Sequence, residues 1–455
     1  MSTPDLPIRG VTTPPSVLGR RLHEHIDALP IDWRCKGFPF TAGGTDLPAL
    51  RAAGLAFSTA GFVTPIVTLR ASALTTNLAV MARYSDASGV RHAPHGKTTM
   101  APQVFDAQLA AGAWGITFAT PWQARVGREF GLEHALIANE VTDPQALRWM
   151  AESMLLQGGR ILSYVDDVHA LRTAQRVLTE SGSTVRLPVL IELGIEGART
   201  GVRTIDAALG LARQVAASPN HELVGVAGYE GGYGHSSDDA VLVAVRGYLA
   251  DMRELAQRID AEGLFEDGTI ILSAGGSSYF DLVVDVLAGP LASGREVLTI
   301  IRSGAVVSHD EGLYGEVSPF HRRTELNELA GGELATAVEV WARVLSRPEP
   351  GLLLLDAGKR DVPYDVQLPS VLRAYRVGAS LQDGLVAGPL DTSGWRFTET
   401  NDQHGYVRVP DTADVAPGDL IVLGITHPCT LFDKWRALPV LDDEDVVTDV
   451  IHTFF

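Results

Sequence analysis

Cysteine is nearly absent: the 455 residues contain two, Cys35 and Cys429. They stand far apart and in no C-x-x-C spacing, which argues against a disulfide framework and suits a reducing compartment. Long apolar runs are also missing. None reaches the roughly 18 residues of a spanning helix, and no basic-then-apolar leader opens the sequence, so a cytoplasmic location is expected. Positive charge is scarce, with 37 Lys and Arg against 55 Asp and Glu and a formal charge of −18. With no basic tail or cluster, the field repels nucleic acid and anionic membranes, while small cationic or zwitterionic substrates remain compatible. Internal repeats and low-complexity segments are lacking as well.

What the chain does have is an ordinary globular composition, 45% apolar and 20% charged, and enough length for a barrel-sized core plus a second domain. Residues 1–60 are rich in Pro and Gly, with one amphipathic stretch at Pro15–Leu29, and read as an N-terminal extension. Residues 61–90 carry a lead-in strand, Thr64–Leu69, and a helical pattern, Ser72–Ser88. From 91 to 305, apolar or β-branched runs alternate with helical patterns, which is the signature of βα units around a parallel sheet. The runs are Arg91–His95, Gly115–Thr120, His134–Asn139, Arg160–Val165, Leu187–Leu193, Leu223–Gly228, Thr269–Ala274 and Val297–Ile301. Eight such runs close a (β/α)8 TIM-type barrel. A doubly wound open sheet would more naturally have five to seven strands and a glycine-rich first turn, where this chain has only Gly96. Residues 306–455 change texture: Thr336–Leu345, Gly351–Leu355, Trp395–Thr398, Gly405–Val409 and Asp419–Gly424 read as strands. The expected fold is therefore α/β, a barrel with a second, mainly β domain formed by the C-terminal part and an N-terminal segment.

Barrel active sites lie at the C-terminal ends of the strands. The first predicted strand ends in His95-Gly96-Lys97, which points a lysine into the barrel mouth. The seventh and eighth end in small-residue turns, Gly275-Gly276-Ser277-Ser278 and Arg302-Ser303-Gly304-Ala305. Turns there commonly hold a phosphate, because glycines let backbone N–H groups approach and a following helix N-terminus adds a favourable field. A lysine facing a phosphate cup describes a pyridoxal phosphate (PLP) site.

The sequence resembles the fold-type III PLP enzymes, in the branch of D-serine dehydratases and D-threonine aldolases. The motifs that carry the resemblance are Pro94-His95-Gly96-Lys97-Thr98, Arg199-Thr200-Gly201, Arg302-Ser303-Gly304, the run from Ser308 to Tyr314, Gln403-His404-Gly405 and Thr426-His427-Pro428-Cys429, in the family's order. The resemblance implies that Lys97 forms the Schiff base and removes the Cα proton. It further implies that Arg302 faces the pyridine nitrogen, that Gly276, Ser277, Gly304 and Ala305 hold the phosphate, and that Tyr229 and Arg199 line the cofactor. His427 and Cys429 would bind Zn2+. In an extended segment, residues two apart point to the same side, so both would reach one metal, and cysteine at this position favours a dehydratase. The family also implies a homodimer and a small D-amino acid substrate. The chain departs from the family pattern in having Ala93 before the Pro-His pair and Thr99 after the lysine, where many members carry basic and histidine residues. His404 could be an acid/base or a structural histidine. His309, Asp310 and Tyr314 could serve the site or the domain junction. Asp356, Lys359 and Asp365 form a polar turn with no role to assign.

Overall fold

The computed structural model describes residues 17–41, 43–378 and 389–455. Eight parallel strands form one curled sheet: β2 Arg91–His92, β3 Ile116–Phe118, β4 His134–Glu140, β5 Arg160–Val165, β6 Leu187–Leu193, β7 His221–Gly228, β8 Ile270–Ala274 and β9 Val297–Ile301, while β1, Ile66–Arg70, precedes them. The order is β2-β9-β8-β7-β6-β5-β4-β3. The two ends meet through a parallel bridge between His95 and Thr117 and the bond from Trp114 N–H to His92 O, 2.8 Å, which closes the barrel. Ala93, Leu136, Leu162, Tyr164, Leu190, Ala227, Ile271 and Ile300 fill its interior as a separate apolar cluster, a packed core and not a pore. All eight predicted runs fall on these strands, and β5, β6 and β9 match them residue for residue.

The second sheet has nine strands. After the barrel come β10 Val338–Glu349, β11 Leu352–Leu355, β12 Ser370–Tyr375, β13 Arg396–Thr400, β14 Gly405–Arg408, β15 Leu420–Gly424, β16 Ala437–Leu441 and β17 Val447–His452. The order is β13-β14-β11-β10-β1-β16-β17, with β15 pairing both β10 and β12. Strand β1 lies between β10, antiparallel, and β16, parallel, so the chain starts this sheet, builds the whole barrel and returns to finish it. Sequence reasoning missed β12, β16 and β17.

The helix expected over Pro15–Leu29 is α1, Gly19–Ile26; Pro15 and Ser16 lie outside the described residues. The extension holds a second helix, α2, Leu47–Ala53, capped by the Asp46 side chain on Ala49 N–H with Pro48 in its first turn and Gly54 at its C-cap. Seven residues are too few for helical periodicity to show. Helix α3, Ala71–Ala87, ties the two sheets together through the fully buried Asn77. Its amide donates to Val307 O and Ala335 O (3.0 and 2.7 Å) and accepts from Ala335 N–H (2.7 Å).

Candidate cofactor and metal site

Lys97 stands in a short 3-10 turn, Gly96–Thr98, immediately after the first barrel strand. A Cβ on Gly96 would meet Ile116, Phe105 and Phe118 at 2.7–2.9 Å, so only glycine lets the turn sit down on the barrel core. The neighbouring loop after β9 comes equally close, since a Cβ on Gly304 would lie 2.5 Å from His95 O. These two contacts fix Lys97 against the mouth. His95, between them, is held neutral: burial, then the positive charges of Lys97, Arg302 and Arg199, push its pKa well below the ordinary value.

Arg302 is 5% exposed. Its guanidinium donates to Ser273 Oγ (2.8 Å) and Gly228 O (2.7 Å), while its own N–H and C=O bond Gly275 O and His95 N–H. The side chain is thus fixed across three strand ends. Arg199 is exposed and lies over the Tyr229 ring, 4.6 Å from its centre, a cation–π contact. Burial and the adjacent Glu230 raise the Tyr229 pKa to about 12, so its hydroxyl keeps its proton.

The loop after β8 differs from expectation in one respect. Glu230, fully buried two residues past the end of β7, accepts from Gly275 N–H (3.0 Å) and Gly276 N–H (2.6 Å), so the Gly276 N–H assigned to a phosphate is already used. Two backbone N–H groups offset the cost of burying that carboxylate and lock the loop. The loop's carbonyls are tied as well: Gly275 O accepts from Arg302 N–H, Gly276 O from Ser303 Oγ, and Ser278 O from Arg322. Among the described residues, the N–H groups of Ser277, Ser278 and Gly304 donate to no protein acceptor. With its carbonyls turned away and these donors left over, next to the start of the helix Phe280–Leu287, the loop pair fits a phosphate. The donors this loop pair leaves open are therefore the N–H groups of Ser277, Ser278 and Gly304, with Glu230 holding the loop in place.

His427 and Cys429 do come together, although not as residues of an extended segment. Pro428–Thr430 is a 3-10 turn, with Leu431 N–H bonded to Pro428 O at 3.0 Å, and the fixed φ of Pro428 suits its first position. The turn brings the Cys429 thiol back toward the His427 ring. Cys429 Sγ also lies 3.3 Å from Thr98 Oγ1, in the lysine's own turn. Asp365, from the polar turn that had no role, bonds His427 Nδ1 (2.7 Å) and Thr430 Oγ1 (2.8 Å). Burial would lower the His427 pKa, but Cys429 and Asp365 outweigh it and raise it to about 9. Burial would likewise raise the Cys429 pKa, yet His427, Thr98 and Lys97 bring it below the ordinary thiol value. A thiolate beside a histidine whose Nδ1 is held by a carboxylate is a donor set that fits zinc, the metal taking the place of the proton His427 otherwise keeps.

Tyr314 joins the same site, its ring edge-on to His427 with centroids 6.2 Å apart. Asp310 holds the turn that presents it, accepting from Gly312 and Tyr314 N–H (2.9 and 3.1 Å). His404, by contrast, is exposed, and its carbonyl closes the β13–β14 turn, accepting from Asn401 N–H and Thr400 Oγ1. Asp356 accepts from Thr64 and Arg343 and serves the β sheet, and Lys359 lies over Tyr364.

Residues 69–283 match the family model for the alanine racemase N-terminal domain, and residues 337–441 match the one described as "Putative serine dehydratase domain". The chain belongs to the fold-type III PLP enzymes, in the D-serine dehydratase and D-threonine aldolase branch, a family of PLP-dependent lyases. It is 27% identical to the D-threonine aldolase of an Arthrobacter species over 85% of this chain and 91% of that one. It is 26% identical to the 3-hydroxy-D-aspartate aldolase of Paracoccus denitrificans over 72% and 79%. A shorter match, 34% over 33% of this chain and 38% of the other, is to the D-threo-3-hydroxyaspartate dehydratase of a Delftia species. Among solved structures, the D-threonine aldolase of Filomicrobium marinum shares the fold at TM-score 0.70 and 23% identity, over 86% of this chain and 95% of that one. A D-threo-3-hydroxyaspartate dehydratase with a cysteine replaced by alanine, in the metal-free form, does so at 0.66 and 22%, over 86% and 98%. Among the described residues, no helix is long and apolar enough to cross a membrane.

Proposed function

We propose that this chain is a PLP- and zinc-dependent D-amino acid dehydratase that removes water from a β-hydroxy-D-amino acid such as D-serine, giving a 2-oxo acid and ammonia. The observation that carries the reading is the contact of Cys429 with Thr98, which sets a soft metal pair beside the lysine within a single chain. Lys97 would anchor the cofactor covalently and would be the base that takes the proton at Cα. Ser277, Ser278, Gly304 and Ala305 would hold the phosphate, and Arg302 would be the partner of the ring nitrogen. Arg199 and Tyr229 cover the ring. Bound there, PLP supplies an electron sink for the pair released at Cα. Held by His427 and Cys429, with Asp365 orienting the imidazole, zinc supplies a Lewis acid for the departing hydroxyl.

The second reading is retro-aldol cleavage to glycine and an aldehyde, supported by the two aldolases that match over most of this chain. Both readings place the protein in the cytoplasm as a homodimer. The deciding experiment is a product assay on D-serine, D-threonine and D-threo-3-hydroxyaspartate, with and without chelator and re-added zinc. Zinc-dependent 2-oxo acid with equimolar ammonia establishes the dehydratase; aldehyde plus glycine establishes the aldolase.

A further inference from the structure

A second group of ligand atoms converges at the barrel mouth, apart from His427 and Cys429. Glu140 ends β4, Asp166 follows β5, and Glu192 is the penultimate residue of β6. One carboxylate oxygen from each lies within 4.8 Å of the others. Strand alternation explains the convergence on β5 and β6. Leu162, Tyr164 and Leu190 point into the barrel core, so Asp166 and Glu192, two residues further along, point the same way above them. In β4, a register irregularity between Leu136 and Glu140 sets Glu140 opposite Tyr164.

The hydrogen bonds around this group do not close. Asp166 accepts from Gly201 N–H at 2.9 Å, but both carboxylate oxygens of Glu140 and one of Glu192 are buried without a donor. The Tyr164 hydroxyl, on a residue 4% exposed, is buried and unpartnered too, and it lies within electrostatic reach of both glutamates. Buried acceptors are nearly always satisfied, and Glu140 and Glu192 face one another as two acceptors. A shared proton would serve that one contact and leave Asp166 as a further charge beside it. A divalent cation would serve all three carboxylates.

We propose that Glu140, Asp166 and Glu192 form a binding site for a hard divalent cation of the Mg2+, Mn2+ or Ca2+ class, with the Tyr164 hydroxyl at its edge. Three oxygen donors and no nitrogen or sulfur select that class, whereas the His427–Cys429 pair selects zinc. Three carboxylates brought this close in a buried site repel one another, and a cation relieves that repulsion. Its charge would also offset three carboxylates at a mouth that must admit an anionic cofactor. The site is independent of whether the chain is a dehydratase or an aldolase.

The test uses the holoenzyme carrying Cys429→Ser, so that the sulfur ligand does not compete, stripped with chelator and titrated with Mn2+ alone while free Mn2+ is followed by electron paramagnetic resonance. The expected result is one Mn2+ per chain, displaced by Mg2+ or Ca2+, with affinity at least tenfold weaker after Glu140→Gln and also after Asp166→Asn. Asp166 is half-buried, which keeps the test open should the Glu140 variant fail to fold. Unchanged affinity in both variants, or no stoichiometric binding, overturns the proposal. Absent binding together with a carboxylic acid carbonyl band in the infrared that vanishes in Glu140→Gln replaces it with a shared proton.

Discussion

The barrel sheet and the β sheet face each other across the site, yet they present their residues in different ways. In the barrel, neighbours in sequence are neighbours in space except at the β2–β9 seam, and each functional group stands at or just beyond a strand end. The β sheet draws strands from both sides of the barrel and offers its pair from a turn after β15, steadied by Asp365 from a loop 62 residues away. On the proposed reading, the barrel face would bind and activate the amino acid, and the β face would decide what leaves.

That division can be broken experimentally. Lys97→Ala should lower turnover at least a thousandfold, and borohydride should no longer join the cofactor to the chain, as mass spectrometry would show; a cofactor still fixed would mean that another residue holds it. Cys429→Ser should cost about a hundredfold in kcat or more while cofactor content and visible spectrum stay as they are. Loss of cofactor from that variant would show that the two faces do not act separately. Asp365→Asn should weaken metal binding about 10- to 100-fold, read by competition with a chelator, and saturating zinc should restore most of the rate.

Two smaller effects concern stability. Because the folded pKa of Glu140 is raised to about 9 from an ordinary 4.5, its contribution is fully present below pH 4.5 and is lost as pH rises through 9. In chelator, Tm should therefore fall between pH 7 and 9.5, and Glu140→Gln should flatten the fall. Asn77→Ala, which leaves the Val307 and Ala335 carbonyls and the Ala335 N–H unpaired between the two sheets, should cost about 1–3 kcal/mol in a denaturant titration. The cofactor spectrum should not change.

Sequence made the barrel legible because each strand is a buried apolar run followed by a helical period, and because barrels place chemistry at strand ends. Lys97, Arg302 and the small-residue turns followed from that rule. Strands β16 and β17, an adjacent antiparallel pair, escaped because their patterns are short. Asp365 escaped for a related reason: nothing in its own neighbourhood marks a carboxylate that acts on His427. Glu230 was visible beside Tyr229 at a strand end, but its use as an internal anion on the Gly275–Gly276 amides depends on a loop 45 residues away. The expected extended geometry of His427 and Cys429 gave way to a turn because Pro428 favours starting one.

Strand β1 has a consequence for biosynthesis. Its partner β10 lies far ahead, the Thr68–Trp341 hydrogen bond spanning 273 residues. At roughly 5–20 residues per second of synthesis, β1 waits on the order of ten to sixty seconds with both edges bare while an entire barrel emerges and folds behind it. An unpaired apolar edge is an invitation to aggregate, so the nascent chain needs shelter over this interval. Expressing the barrel without the segment that follows would leave that edge permanently open.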